Sequence, residues 1–522
     1  MKKVLTRSPA SLFRRNPVSR LVARSVMASA IVIAGTPLAQ AMNFELENGV
    51  TIDLDTTVGY NVQVRQESQD PNILSFGGLG FLTDDGNRNF DKGDLTQNQL
   101  NVSADLDVNY GDGGVFARAR GWYDKAYDFK TAKPFQQDGI DDRKSTAELL
   151  DLFWYQGFDL GDQFLSLRVG KQVVNWGESL FIPGGISSAM GPVDATKASS
   201  PGVALKDIFM PLGQVYGELA LSDTLSVGAY YQYDWEKTRI DAPGTYLNVL
   251  DGLGQQSVGD TDDTMQVVTE EKADKGQYGI ALRYLAENLN NTEFGLYYLN
   301  YTDFTPALEF LSVDSSNLNQ HYYDNIDLYG LSFGTVFGDM NVSGEVSYRD
   351  GVPVRYGVGN GFAYAPAKAV QAQVSGIYIF PQNPLADTLT FIGEIGYNRI
   401  IDIDSPLGGG IDDLTKNRNA ASTVVGLNAD YLNIAPGLDL KVSGTYRNDF
   451  QGYSSMEFSF AEGTEQFALK TDFSYLGNHK FGASYIWYLT DTDEILAHDG
   501  SLAFGHLNAD RDYLAAYYKY TF

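Results

Sequence analysis

From Gln99 the chain alternates with a period of two. Leu100, Val102, Ala104, Leu106, Val108 and Tyr110 occupy one parity, and Gln99, Asn101, Ser103, Asp105, Asp107 and Asn109 the other. The division recurs at Leu225, Val227, Ala229, Tyr231, Tyr233 and Trp235, at Leu438, Leu440, Val442, Gly444 and Tyr446, and at Phe481, Ala483, Tyr485, Trp487 and Leu489. Such alternation predicts strands with one face in an apolar medium. A soluble sandwich alternates too, so lengths and connections must decide.

Strands are predicted at 50–64, 95–110, 113–129, 145–158, 163–175, 212–221, 224–236, 276–286, 291–303, 325–337, 340–350, 369–380, 388–400, 420–432, 437–449, 464–475, 479–490 and 511–522. Many reach the roughly 9 to 11 residues of a tilted membrane-crossing strand, against about 5 to 6 in globular proteins. Tight turns such as Gly111-Asp112, Gly161-Asp162, Ser222-Asp223, Gly338-Asp339 and Gly477-Asn478 are interleaved with long polar stretches. These are 65–94, 130–144, 176–211, 237–275, 304–324, 351–368, 402–419, 450–463 and 491–510. Short turns at one end and long loops at the other predict an all-β fold: one transmembrane antiparallel β-barrel of about 18 strands with long extracellular loops. An even strand count puts both chain ends on the short-turn, periplasmic side.

The first segment reads differently. Residues 1–24 carry Lys2, Lys3, Arg7, Arg14, Arg15, Arg20 and Arg24 with no acid, an apolar run follows from Val26 to Ala34, and Ala39-Gln40-Ala41 forms a small-x-small site. Residues 1–41 are therefore expected to be a secretory signal peptide, leaving a barrel of 42–522 bound for the bacterial outer membrane. The alternative is an amphipathic anchor that is retained. At the other end, Leu514, Ala516, Tyr518, Tyr520 and Phe522 share one parity and Phe522 is the last residue. This is similar to the C-terminal signal read by the outer-membrane assembly machinery.

Composition narrows the chemistry. The chain of 522 residues has 38 basic and 66 acidic residues, a net charge of −28, and no cysteine. Loss of the leader's seven basic residues leaves 31 against 66, a net charge of −35. That balance argues against nucleic acid, whose phosphates are bound by Lys and Arg. Without cysteine there are no disulfides, zinc fingers, thiol nucleophiles or thiol-linked lipid anchors. The four histidines (His321, His479, His498, His506) form no HExxH, and no GxSxG is present. Neither catalysis nor a cofactor is expected.

If the apolar parity faces lipid, the polar parity faces a lumen too wide for wall side chains to fill. Asp105, Asp107, Arg118, Arg120, Asp151 and Arg168 are the lumen candidates. The plainer reading pairs opposite charges across neighbouring strands; the sharper one makes them a selectivity site. Loop 176–211, with its runs Phe181-Ile182-Pro183-Gly184-Gly185, Met190-Gly191-Pro192-Val193-Asp194 and Pro201-Gly202-Val203, suits a compact segment better than a solvated one. It is expected to fold inward and narrow the pore, the alternative being an extracellular cap. Lys171, Trp176 and Glu178, where the fifth strand enters this loop, join the constriction candidates; Trp176 could equally belong to an interfacial aromatic girdle. Asp84, Asp85, Asp91, Asp94, Asp260, Asp262 and Asp263 make two loops acidic. Residues 85–96 fail the EF-hand pattern, with Phe90 where Gly is required and Thr96 where Glu is required. Solvated loops, bridged by divalent cations to acidic outer-membrane lipid such as lipopolysaccharide, are the expectation, with no dedicated metal site.

Residues 83–259 also carry a family resemblance. Thr83-Asp84-Asp85-Gly86-Asn87, Asn89-Phe90, Lys92-Gly93, Trp122-Tyr123-Asp124, Glu148-Leu149-Leu150-Asp151, the run Arg168 to Ser179, Pro192-Val193-Asp194 and Tyr231-Gln232-Tyr233 with Trp235-Glu236 carry it. Together they resemble domain of unknown function 1302, a family of proteobacterial exported proteins. The resemblance implies an outer-membrane barrel of a kind that tends to be encoded beside a periplasmic lipoprotein-sorting-like protein and, in some cases, an inner-membrane exporter of the resistance-nodulation-division type, which are its expected partners. It thus implies traffic in hydrophobic or lipid-like molecules. The leading expectation is an outer-membrane channel or transporter for small hydrophobic solutes. The alternatives are a surface structural or adhesion barrel acting through its acidic loops, and an outer-membrane lipid or ester hydrolase.

Overall fold

The computed structural model describes residues 42–75, 85–128, 143–249, 266–271, 276–310, 317–358, 361–405, 408–456, 458–492 and 504–522. The expected leader 1–41, with the expected cleavage site, lies outside them, as do Asp84, Asp260, Asp262, Asp263 and His498.

Eighteen antiparallel strands form the wall: β1 (Val50–Arg65), β2 (Leu95–Tyr110), β3 (Gly113–Asp124), β4 (Ser145–Leu160), β5 (Gln163–Gln172), β6 (Leu212–Ser222), β7 (Leu225–Gln232), β8 (Gln277–Ala286) and β9 (Thr292–Tyr301). They continue as β10 (Ile326–Phe337), β11 (Met340–Val358), β12 (Gly361–Phe380), β13 (Thr388–Ile403), β14 (Asn419–Ala435), β15 (Leu438–Gln451), β16 (Glu465–Tyr475), β17 (His479–Tyr488) and β18 (Tyr513–Thr521). Each pairs with its neighbours in chain order, and β1 closes on β18 from Thr57↔Thr521 to Arg65↔Tyr513. Closure gives every wall strand two neighbours, which is how a sheet satisfies its backbone in hydrocarbon. The short strand Met42–Glu45 folds back on Thr51–Leu54 of β1.

The outward parity is exposed and apolar, as at Ile280, Leu282, Leu296, Leu331, Val374, Ile395, Leu427 and Leu514. Aromatic rows bound this band. Toward the long loops, Tyr278, Tyr298, Tyr329 and Tyr348 form a chain of ring contacts across β8 to β11. Toward the short turns, Trp154 donates to Tyr110 at 2.6 Å, and the His479 ring lies 4.6 Å from that of Tyr520. An apolar band between two girdles is the outer face of an outer-membrane barrel. At the short turns Gly161 and Gly338 take φ of 71° and 59°, the left-handed region where a side chain is strained.

Three details depart from the expected strands. β3 stops at Asp124, not at 129, because that carboxylate accepts the N–H of Ala126 at 3.0 Å and turns the chain. The expected loop 351–368 is mostly strand, since β11 and β12 run on as a hairpin beyond the wall. Val354 and Tyr356, fully buried there, bridge to Met456 and Leu414 of neighbouring loops; Pro353, paired with Pro366, obscured the pattern. A bulge between Ala117 and Ala119 sets two residues of β4 against one, so Leu149 and Leu152 both face out and Asp151 stays inside.

Candidate functional site

Segment 176–211 leaves β5 and folds into the barrel, where wall side chains hold it at three places. On the β10 to β13 side its backbone meets two carboxylates. Glu345 of β11 accepts the N–H groups of Glu178 at 2.6 Å and Ile186 at 2.7 Å. Glu394 of β13 accepts those of Leu180, Phe181 and Ile182 at 3.1, 2.6 and 2.8 Å. The carbonyls are met as well: Gln371 donates to Pro183 at 2.8 Å, and Arg349 donates to Gly184 and Gly185. A segment rich in Pro and Gly makes little regular structure of its own, so its buried backbone groups need partners from elsewhere.

The second hold is on β3 and β4. Arg120 reaches Glu148 and Asp194, each at 2.7 Å, and donates to the Asp207 carbonyl at 2.6 Å. Arg239, from the loop after β7, grips Glu148 at 2.7 Å and Asp194 at 3.6 Å. Two guanidiniums and two carboxylates thus close a buried ring that joins the segment, the wall and a second loop. Beside it, the Lys197 ammonium lies 3.4 Å from the Trp122 ring centroid. Burial pushes Lys197 down to about 7; Asp194 and Glu148 oppose the shift, and Arg120 and Arg143 add to it.

The third hold is on β1, β2 and β18. Gln97 donates to Ser200 at 3.1 Å, Lys519 to the Gly202 carbonyl at 2.7 Å, and Lys206 to Asp105 at 2.7 Å. Between the holds the segment and the wall share an apolar cluster. Trp176, Ile186 and Met190 of the segment pack with Tyr216, Tyr230, Tyr297, Leu299 and Ile326 of the wall. The Trp176 ring is 5.2 Å from Tyr230 and 5.9 Å from Tyr297.

The candidate residues from the sequence separate into groups. Asp105, Arg118 and Asp151 form a cross-strand ladder, with Arg118 2.9 Å from Asp105 and 3.2 Å from Asp151. Asp107 accepts from the Tyr155 hydroxyl at 2.9 Å, and Arg120 belongs to the buried ring. Arg168 lies against the rings of Tyr216 and Phe153. Trp176 is 2% exposed inside the barrel, in neither the girdle nor an open pore wall. Glu178 sits near Glu293 and Glu345, and burial raises its carboxyl above the ordinary range.

One residue departs from expectation. Lys171 does not line the lumen: it pairs in register with Leu152, which is 45% exposed on the outer face, and its ammonium is 3.3 Å from Glu236. Directly opposed residues share a face, and Lys171, three residues after the inward Arg168 in unbroken register with β4, falls on the outward parity. Phe522 keeps the parity of Leu514 and Tyr518: its backbone pairs with Thr56 and its ring lies 5.6 Å from that of Tyr520.

Glu345, Glu394, Arg349, Gln371, Lys197 and Arg239 were not singled out by sequence, and Asp194 entered only as part of a motif. The available signal was an isolated acid on the lumen parity of a strand, as with Glu345 between Ser343 and Ser347. Only the fold gives such an acid its backbone partners. Among the described residues there is no cluster of three or more metal-binding groups.

The protein is therefore a closed outer-membrane-type barrel whose lumen is crossed by its own segment. A family model described as "Protein of unknown function (DUF1302)" matches residues 22–522, and the chain belongs to that family. No curated protein matches it. Among solved structures it is similar to OccAB1 of Acinetobacter baumannii (11% identity, TM-score 0.44, 93% of this chain and 99% of that one). It is also similar to the outer membrane channel DcaP of the same organism (12%, 0.39, 92% and 99%) and to OmpF of Salmonella typhi in complex with daunomycin (11%, 0.37, 92% and 100%). Likenesses this distant say nothing of what crosses this barrel.

Proposed function

We propose that the protein is an outer-membrane channel for small apolar or amphiphilic solutes, with segment 176–211 as its constriction. The observation that carries this reading is the segment's course across the lumen, held by wall side chains on opposite sides. A lumen obstructed by a built-in segment suits selective passage better than the role of an adhesive anchor, whose interior needs no such fittings. The buried cluster around Trp176 seats the segment on the wall, and the choice of apolar or amphiphilic solutes rests on the family resemblance.

Planar-bilayer conductance of the protein and of a variant lacking residues 184–204 tests the reading, with uptake into proteoliposomes measured across solutes of graded hydrophobicity. The deletion is expected to raise conductance severalfold and to flatten the preference among solutes. Unchanged conductance rules out the constriction. Absence of both conductance and uptake from either protein rules out the channel.

A further inference from the structure

Four arginines of the lumen have carboxylate partners. Arg118 meets Asp105 and Asp151, Arg120 meets Glu148 and Asp194, Arg283 lies 3.5 Å from Glu218, and Arg447 lies 2.9 Å from Asp449. Arg168, half-buried on β5 four residues before the strand gives way to the inward segment, has no hydrogen-bond acceptor or carboxylate partner among the described residues. Its guanidinium carbon is 4.7 Å from the Tyr216 ring centroid and 5.9 Å from that of Phe153. The nearest carboxylates are already engaged. Glu218 takes the Tyr216 hydroxyl at 2.6 Å, Ser226 at 3.3 Å and Arg283, while Asp151 is held by Arg118.

We infer that Arg168, flanked by Phe153 and Tyr216, is a binding site for an aromatic carboxylate on the short-turn side of the constriction; this rests on the channel reading and names a solute class for it. A guanidinium packed against ring faces keeps its N–H groups at its edge, in a planar fork that matches a carboxylate. Phe153, with Phe116 5.5 Å from it, offers apolar contact to the body of the solute. A bare inorganic anion would surrender its hydration to one fork and gain little from ring faces. A neutral aromatic would leave five donors and a half-buried charge uncompensated. One molecule carrying both a ring and a carboxylate uses everything the site presents.

Titration calorimetry on the full-length folded protein in detergent micelles tests this, with benzoate, its uncharged isostere benzamide, and acetate as the ring-free acid. Benzoate is expected to bind about tenfold or more tightly than either, the scale of a hydrogen bond to a charged group. Arg168→Gln is expected to abolish that advantage over benzamide, Arg168→Lys to retain a fraction of it, and Phe153→Leu to narrow the gap to acetate. Heat-modifiable electrophoretic mobility verifies that each variant is a folded barrel; should Arg168→Gln not fold, Arg168→Lys and Phe153→Leu carry the test. Equal binding of benzamide overturns the charge requirement, equal binding of acetate overturns the aromatic one, and undiminished benzoate binding by folded Arg168 variants removes the site. Micellar binding needs no transport, so a protein without conductance that still prefers benzoate refutes the channel and leaves the site standing.

Discussion

The side chain of Glu394 accepts the backbone N–H of Ile182 at 2.8 Å, and the same carboxylate takes the N–H groups of the two preceding residues. One wall residue thereby satisfies three successive donors of a segment that has crossed the lumen to reach it. Glu394→Ala leaves those donors to water or to no partner, at about 1 to 3 kcal/mol for each that stays buried. The expected result is a noisier and larger single-channel conductance, with Glu394→Gln intermediate because its amide keeps one acceptor oxygen. Traces matching the parent protein would show that this hold does not restrain the segment.

Asp194 is the part of the buried charge ring that belongs to the inward segment. Asp194→Ala leaves Arg120 and Arg239 sharing Glu148 alone, and removal of one partner from a buried ion pair costs about 3 to 5 kcal/mol. Lower thermal stability in micelles is expected, together with proteolytic cleavage near Lys197 that the parent protein resists. Asp194→Asn should recover only part of the loss, since it restores an acceptor without its charge.

Lys197 makes the same region sensitive to pH. Its folded value of about 7 lies below the ordinary 10.5, so between these values the unfolded chain holds a proton that the folded one does not. Stability therefore rises with pH across that window, and the full penalty of charging the buried amine applies below it. Urea midpoints from pH 7 to 10 should climb more steeply for the parent protein than for Lys197→Met. Parallel profiles would mean that the ammonium is solvated in the folded barrel.

Gly330 of β10 leaves the space that Ile186 occupies. A Cβ at this glycine would stand 2.8 Å from Ile186 Cδ1, and Ile186 is fully buried with no room to withdraw. Gly330→Val is expected to push the segment off the wall and raise conductance, an overpacking effect of about 1 to 3 kcal/mol. Adding Ile186→Ala should return conductance toward the parent value. A double variant no better than the single one would place the disturbance in the strand itself.

The barrel was legible along the chain because its cause is local. Lipid on one side and water on the other impose a period of two on each strand, and Leu100 to Tyr110 shows it without reference to any distant residue. Turn chemistry at Gly111-Asp112 and Gly161-Asp162 is equally local. The pairing of Arg118 with Asp105 was also within reach, since the two strands are joined by a tight hairpin.

The rest depended on residues far apart in sequence. Nothing near Glu345 or Glu394 reveals that segment 176–211 will bring its N–H groups to them, because those partners lie more than 150 residues away and meet only once the barrel closes. Asp194 and Arg239 are likewise joined only by the fold. Lys171 shows that the period itself sufficed there: three residues after the inward Arg168, in unbroken register with β4, it falls on the outward face. Sequence alone determined a wall with two faces, its strand order and its open end. Tertiary structure decided what stands inside it, because the lumen is made by strands from the whole chain at once and its contacts have no local period.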